Sequence, residues 1–254
     1  MLTILAKRLA EAAGKELLAR QSGLSIDGAG VETKSSASDP VSEADRASEK
    51  LIVDGLAEAR PGDGLLGEEG ASKPSSTGLT WVIDPLDGTV NYLYGRPDWC
   101  VSIAVEDASG AVAGVVYQPS TGITWSATRG EGAYRDGRRL GPVREVETAA
   151  ALVSTGFSYL PERRAEQAGH LSHLLPAVRD IRRGGSAALD LCSVADGTAN
   201  AYYEHIIQPW DIAAGGLIAR ESGAEVVALS DGVLAAPPKL AAALVKLLAP
   251  RRLV

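Results

Sequence analysis

Acidic side chains recur where turn residues interrupt apolar runs. In WVIDPLDGTVN, Asp84 ends an apolar run, Pro85 forces a turn and Asp87 follows three residues after Asp84. Two carboxylates about 4 Å apart repel by roughly 4 kcal/mol at an effective dielectric constant of about 20, so a fold that gathers them needs a cation or a raised pKa. Oxygen ligands select hard cations such as Mg²⁺. The segment therefore predicts a metal site, although Asp-Pro and Asp-Gly are also ordinary turn formers.

Three further acidic segments add to this pattern. Glu68 lies in GEEG, a turn bracketed by glycines, and Asp211 lies in PWDIAAG at the start of a helical pattern. Asp45 lies in SDPVSEAD, three residues after Ser42. Two of them have a purely structural alternative, since Asp211 can be a helix N-cap and the Ser42–Asp45 spacing can be a capping box. Four such segments in one chain favour a shared metal site.

The first part of the chain predicts two helices and an antiparallel sheet. Helical patterns cover 2–21 and continue from Ser42 to about residue 60, and 80–84 has the pattern of a short strand. The runs 100–107 and 111–118 flank a Ser-Gly turn, which is typical of a hairpin.

The order of predicted elements changes beyond Pro142. The strand patterns ALVST, ANAYYE and AEVVAL alternate with four helical patterns, the first of them at 162–175. This alternation predicts an α/β layer. We therefore expect an N-terminal α+β subdomain at 1–143, carrying most of the candidate metal ligands, and a C-terminal α/β subdomain at 144–254, carrying Asp211 and further site contacts.

The composition of the chain limits which kinds of function are expected. Apolar residues make up 45% of the chain and charged residues 22%, and the net charge of −7 disfavours a nucleic-acid binder. No apolar run is long enough to cross a membrane, and charges interrupt the N-terminal apolar pattern, so we expect a cytoplasmic protein. Cys100 and Cys192 are predicted to be separate buried thiols. The three histidines are expected to have surface or structural roles.

Five blocks of sequence together resemble the inositol monophosphatase family. The blocks are Lys34 with DPVSEAD, then LGEE, WVIDPLDGT, GGSAALDLCSVADGTANAYYE and PWDIAAG, and the resemblance covers about residues 5–230. It implies a layered αβαβα sandwich with the site between two subdomains. It also implies a phosphatase that uses up to three Mg²⁺ ions, is often inhibited by lithium and commonly forms a homodimer.

The resemblance also implies roles for individual residues. The implied metal ligands are the side chains of Glu68, Asp84, Asp87 and Asp211 and the backbone carbonyl of Leu86. Asp45 and Thr89 resemble the pair that activates the nucleophilic water, and they form the catalytic set with Glu68; Lys34 has a supporting role. The substrate contacts are expected from Gly88, Thr89, Gly185, Ser186, Ala187 and Glu204, with the amides of Gly88 and Thr89 placed to hold phosphate oxygens at a helix start.

The expected substrate is a small phosphorylated polyol, with myo-inositol-1-phosphate favoured. Histidinol-phosphate phosphatases share the metal motifs but commonly lack the YYE element that ends at Glu204, and they remain an alternative. Sugar or nucleotide bisphosphates remain possible side activities. An alternative from another class is an interaction protein of transcription complexes on RNA, because some bacterial relatives have such a role. No membrane association is expected.

Overall fold

Two large β-sheets, a separate two-stranded pair and three layers of helices make up the computed structural model, which describes residues 1–21, 31–33 and 40–248. The first sheet has eight strands in the order β10-β9-β8-β7-β6-β5-β3-β4. Its strands are β3 (Gly64–Gly67), β4 (Ser72–Lys73), β5 (Thr80–Asp87), β6 (Cys100–Asp107), β7 (Gly110–Gln118), β8 (Ile123–Thr128), β9 (Gly132–Arg135) and β10 (Arg138–Arg139). A separate pair joins β1 (Val31–Thr33) to β2 (Pro40–Ser42).

The β6–β7 hairpin confirms the sequence prediction. The prediction of a wholly antiparallel sheet was wrong, because β3 pairs with β5 in parallel, with Leu65 opposite Trp81. The four residues of β3 are too few to show a period, so the strand gave no signal in the sequence.

Two helices cover the outer face of this sheet, α1 (Leu2–Gln21) and α2 (Glu43–Ala59). The buried side chains of α1 lie three, four, seven and eleven residues after the first of them, which puts them on one face: Ala6, Leu9, Ala10, Ala13 and Leu17. That face packs on β6 and β7. The short helix α3 (Thr89–Leu93) follows β5 directly.

The middle layer consists of α5 (Ala187–Asp196) and α6 (Pro209–Glu221). α6 packs on β6, β7 and β8 of the first sheet, and α5 packs on strands of the second sheet. Gly114 allows the close contact on one side, because a Cβ there would lie 3.0 Å from Cα of Ala214. This layer brings residues from both halves of the chain together.

The second sheet has five strands in the order β12-β11-β13-β15-β14. They are β11 (Leu152–Thr155), β12 (Asp180–Arg182), β13 (Ala201–His205), β14 (Glu225–Ala228) and β15 (Gly232–Ala236). The outer layer, α4 (Pro161–Leu174) and α7 (Pro238–Leu248), shares a hydrophobic core with this sheet. The order helix, sheet, helix, sheet, helix confirms the predicted αβαβα sandwich.

The C-terminal elements, the cysteines and the helix lengths bear on the remaining expectations. β12 and β15 were missed, whereas the other C-terminal elements agree with the predicted order within a few residues. Cys100 and Cys192 are buried and free, as predicted. The division at residue 143 stays a prediction. Among the described residues, no helix combines the length and apolar character needed to cross a bilayer.

Candidate active site

The predicted residues gather around one cavity of about 330 Å³, which we call the acidic cavity. Its walls come from the turn after β3, the end of β5, the loop after β11, the start of α5, the end of β13 and the start of α6. The predicted residues that line it are Glu68, Asp84, Leu86, Asp87, Gly88, Thr89, Gly185, Ala187, Glu204 and Asp211. Lys34 lies outside the described residues, and Asp45 and Ser186 do not line the cavity.

Three carboxylates converge at the base of the acidic cavity. Asp84, Asp87 and Asp211 each offer an oxygen, and these oxygens lie within 4.8 Å of one another. Residues three apart on a regular strand point to opposite faces. β5 avoids this by an irregularity, because Asp84 pairs with Ser102 while Asp87 pairs with Cys100, so three steps on β5 match two on β6.

Electrostatic repulsion and burial make this group costly as free anions. Burial raises the pKa of Asp84 well above its usual range, and the nearby carboxyls of Glu68, Asp87 and Asp211 raise it further. Burial likewise raises the pKa of Asp87 to about 6, against the opposing hydrogen bond from Ser186. The pKa of Asp211 is also raised well above its usual range, by burial first and by Asp87 next. An all-oxygen donor set of this kind fits a hard divalent cation, which would relieve the repulsion.

Asp87 is held by the start of α5. The hydroxyl of Ser186 donates to Oδ2 of Asp87 at 2.7 Å, and the amide of Ala188 donates to the same oxygen at 2.7 Å. Ser186 is also the N-cap of α5, because its Oγ accepts from the amide of Leu189 at 3.2 Å. The hydroxyl of Ser186 therefore positions a carboxylate, while Gly185 and Ala187 on either side line the cavity.

Asp211 serves both a helix and the cavity. Gln208, rather than Asp211, is the N-cap of α6, and the amide of Gln208 donates to Oδ2 of Asp211 at 2.7 Å. This reciprocal arrangement is a capping box, with Asp211 at the third helical position. The structural alternative, in which Asp211 is simply the helix N-cap, is therefore wrong. The positive end of the helix dipole also favours a carboxylate there.

Thr89 and Asp45 occupy different surroundings. The hydroxyl of Thr89 lines the cavity and donates to the backbone carbonyl of Leu86 at 3.1 Å. Asp45 is buried in the first turn of α2. Burial and then the charge of Asp45 raise the pKa of Tyr92, which places Asp45 near the same short helix that begins at Thr89.

Gly88 has two reasons to be glycine. Its φ of +95° lies in the left-handed region, where side chains are disfavoured. A Cβ at this position would also lie 2.8 Å from the backbone oxygen of Asp98. The segment after Asp87 can therefore turn directly into α3.

Glu204 forms part of the cavity wall beside the acidic cluster. Its Oε2 accepts a hydrogen bond from the hydroxyl of Tyr202 at 2.8 Å. Burial raises the pKa of Glu204 to about 7, against the hydrogen bond from Tyr202, and the charge of Asp87 raises it further. A side chain at Gly156 would collide with this carboxylate, so that glycine leaves the space that Glu204 fills.

Two side chains of α2 hold the turn that carries Glu68 and the turn at Pro85. The sequence did not predict this role for α2. Glu49 accepts from the amides of Glu69 and Ala71 at 3.0 Å each, and so fixes the turn that carries Glu68. Ser48 donates to the backbone carbonyl of Pro85 at 2.8 Å. Both residues lie on the buried face of the helix, where an apolar side chain is the usual expectation, and this is the signal that could have found them.

Other residues that line the acidic cavity were not predicted as site residues. They include the loop at 156–160 after β11, and Arg183, Ile206 and Trp210. The signal for the loop was its position, since binding residues concentrate on loops that follow the carboxyl ends of parallel strands.

Fold and site together define a phosphatase of the layered sandwich type, and the chain belongs to the inositol monophosphatase family. The model of that family matches residues 1–252. Members of the family generally depend on Mg²⁺.

Individual relatives are similar over most of their length. An inositol-1-monophosphatase SuhB of Mycobacterium tuberculosis is 48% identical over 210 residues, which cover 79% of this chain and 72% of the relative. A Nus factor SuhB of Xylella fastidiosa is 43% identical over 189 residues, covering 74% of this chain and 68% of the relative. The crystal structure of the extragenic suppressor protein SuhB from Bartonella henselae superposes with a TM-score of 0.91 at 33% identity, over 98% of each chain.

Proposed function

We propose that this protein hydrolyses a small phosphomonoester in a Mg²⁺-dependent reaction, with myo-inositol-1-phosphate as substrate and inositol and phosphate as products. The observation that carries the proposal is the convergence of Asp84, Asp87 and Asp211 in a cavity that Glu68 also lines. Phosphomonoester hydrolysis is among the slowest uncatalysed reactions, so its catalysis depends on strong charge stabilisation and positioning.

The proposed ligand set for up to three ions comprises Glu68, Asp84, Asp87, Asp211 and the carbonyl of Leu86. Bound Mg²⁺ supplies Lewis acidity, a water of lowered pKa and charge for the leaving oxygen. Asp45 and Thr89, with Glu68, are assigned to orient the attacking water and accept its proton. Ser186 and Gln208 are positioning residues, because each holds one of the ligand carboxylates by a hydrogen bond.

The assigned substrate contacts divide by chemistry. The amides of Gly88 and Thr89 are assigned to phosphate oxygens. Gly185, Ala187 and Glu204 are assigned to the polyol, and a carboxylate in this place can accept hydrogen bonds from ring hydroxyls. Glu204 is therefore the reason to prefer inositol phosphate over histidinol phosphate. We propose a homodimer on the family resemblance alone.

The test is a phosphate-release assay over a panel of small phosphomonoesters, with and without Mg²⁺. Exhaustive treatment with EDTA should abolish turnover, and added Mg²⁺ should restore it. Inositol-1-phosphate should be cleaved with a higher kcat/KM than histidinol phosphate. Undiminished turnover after chelation would contradict the metal mechanism, and a preference for histidinol phosphate would contradict the substrate.

Similarity to a protein named a Nus factor favours a second candidate function, in a transcription complex. Binding need not use the acidic cavity, so an inactive variant separates the two functions. Wild-type protein and Asp87→Asn should then capture RNA polymerase equally well from purified components. Failure of both proteins to bind would remove this candidate and leave the phosphatase proposal intact.

A further inference from the structure

Ile206 has an unusual backbone for its residue type. Its φ is +63°, in the left-handed region. Branching at Cβ makes this region unfavourable, so an isoleucine there is a genuine outlier. The other non-glycine residue with positive φ in the described ranges is Asp136, with φ of +49°. Asp136 lies in the two-residue connection between β9 and β10, where aspartate followed by glycine is ordinary turn chemistry.

Asp231 holds Ile206 in this conformation. The amide of Ile206 donates to the backbone oxygen of Asp231 at 2.6 Å. One residue earlier, Nδ1 of His205 lies 2.6 Å from Oδ1 of Asp231, and its Nε2 lies 3.0 Å from Nδ1 of His170. Strained residues persist only where their surroundings determine them in this way.

The turn itself does not call for an isoleucine. Only two residues separate the end of β13 at His205 from the N-cap Gln208, so the chain must turn sharply between Glu204 and Asp211. Glycine would adopt the same backbone without strain. What isoleucine adds is its side chain, which is 38% exposed and lines the acidic cavity.

A second exposed apolar side chain lines the same cavity. β11 and β13 are parallel neighbours, with Thr155 opposite Tyr203, so the segments that follow them leave the sheet side by side. Leu160, 39% exposed, comes from the segment after β11, and Ile206 follows β13. The cavity therefore combines an acidic base, the hydrogen-bonding wall of Glu204 and an apolar rim made of Leu160 and Ile206.

We propose that Ile206 is a specificity-determining residue that selects phosphomonoesters with a cyclic leaving group. The apolar face of the ring packs against Ile206 while the hydroxyl edge faces Glu204. An open-chain polyol has no rigid apolar face and gains little from the rim. The inference rests on the proposed phosphatase function and adds the shape of its substrate.

Three substrates and two variants test the inference. Inositol-1-phosphate has a ring and hydroxyls, p-nitrophenyl phosphate has a ring without hydroxyls, and β-glycerophosphate has neither a ring nor an apolar face. Ile206→Asn tolerates the left-handed backbone but presents a polar side chain. It should lower kcat/KM about tenfold for both ring substrates and change β-glycerophosphate less than twofold. Glu204→Gln should affect inositol-1-phosphate alone.

Control variants distinguish the effect of the Ile206 side chain from the effect of its backbone conformation. Ile206→Leu should keep at least half of the wild-type kcat/KM for the ring substrates. Ile4→Asn, at another exposed isoleucine, should change none of the three substrates. Ile206→Gly should lose ring selectivity as Ile206→Asn does, yet melt at or above the wild-type temperature, because it relieves the strained backbone.

The outcomes distinguish this inference from the proposed function. If wild-type protein hydrolyses none of the three substrates, the phosphatase proposal fails. If wild-type protein is active and Ile206→Asn and Ile206→Gly alter all three substrates equally, or alter none, the role of Ile206 is overturned while the phosphatase stands. A lower melting temperature for both of these variants would overturn the strain argument.

Discussion

A buried carboxylate centre lies near each end of β5, and the pKa values of the two carboxylates are shifted in opposite directions. Near its start, Asp63 accepts hydrogen bonds from the indole of Trp81 at 2.8 Å, the hydroxyl of Thr77 at 2.6 Å and the guanidinium of Arg60 at 2.8 Å. Near its end, Asp84 accepts a hydrogen bond from the amide of Leu86 at 3.1 Å but otherwise faces other carboxylates. Asp63 and Asp84 are 2% and 1% exposed, so solvent exposure does not distinguish them.

The partners of each carboxylate account for the difference. Burial raises the pKa of Asp63, but the donors from Arg60, Thr77 and Trp81 outweigh it, and the net pKa is lowered. At Asp84, burial and like charge act in the same direction and raise the pKa. At the first centre, donors of the protein itself stabilise the negative charge. The negative charge at the second centre is balanced only when protons or a cation bind, which is the condition expected of a functional site.

The largest effect is expected from Asp87→Asn. The change keeps the shape of the side chain but removes one charge from the proposed metal site, so kcat should fall at least about a hundredfold, or about 2.7 kcal/mol of barrier. Phosphate release at saturating Mg²⁺ measures this loss. The melting temperature in EDTA should stay equal or rise, because repulsion among carboxylates is reduced. Near-normal kcat would show that Asp87 is only a turn residue.

A smaller effect is expected from Glu204→Gln, at a carboxylate that accepts a hydrogen bond from Tyr202. Loss of charge-assisted hydrogen bonds to ring hydroxyls should lower kcat/KM for inositol-1-phosphate by about ten- to a hundredfold. Hydrolysis of p-nitrophenyl phosphate should barely change, and parallel kinetics on one preparation measure both. Equal losses for both substrates would indicate a structural role and remove the preference for inositol phosphate.

Asp63→Asn tests the other end of β5. The charge that Arg60 contacts is lost, and one of the buried donors loses a strong acceptor, so the free energy of unfolding should fall by about 1–2 kcal/mol. Urea unfolding measures the change, and kcat should stay within twofold. Asp54→Asn, at the exposed ion pair with Lys50, is the matched control and should leave stability unchanged. A large loss of kcat with intact stability would reverse the assignment.

The smallest effect is a dependence of stability on pH that differs between the two centres. In EDTA, the pKa of Asp87 rises from 3.8 to about 6 on folding, so its contribution to stability is complete below pH 3.8 and is lost as the pH rises through about 6. The lowered pKa of Asp63 works in the opposite sense, since its contribution is present above 3.8 and is lost as the pH falls through the pKa of the folded state.

Mg²⁺ should therefore raise the melting temperature more at pH 7 than at pH 4.5, and Asp87→Asn should narrow that difference. Differential scanning fluorimetry at both pH values, with and without Mg²⁺, measures it. A stabilisation by Mg²⁺ that does not vary with pH would contradict the electrostatic account of the acidic cluster.

The sequence alone was sufficient for the family, the αβαβα sandwich and most of the residues that line the acidic cavity. These follow from the resemblance to the family, which rests on short motifs: Asp84, Pro85 and Asp87 form one segment, and Glu68 and Asp211 lie in similarly compact motifs. Hydrophobic periodicity likewise predicted the longer helices and the β6–β7 hairpin. Such signals depend on near neighbours in the chain, and a sequence displays them directly.

Only the tertiary structure decided how those residues are held. The hydroxyl of Ser186 reaches Asp87 across 99 positions, and Glu49 reaches the amide of Glu69 across 20. The left-handed backbone of Ile206 depends on the carbonyl of Asp231, in the segment before β15, a strand that the sequence did not reveal. Each of these contacts requires two distant segments to meet in one register, and strand pairing and helix packing set that register after collapse. Local patterns carry no record of it, because the same hydroxyl, carboxylate or isoleucine is acceptable in many other surroundings.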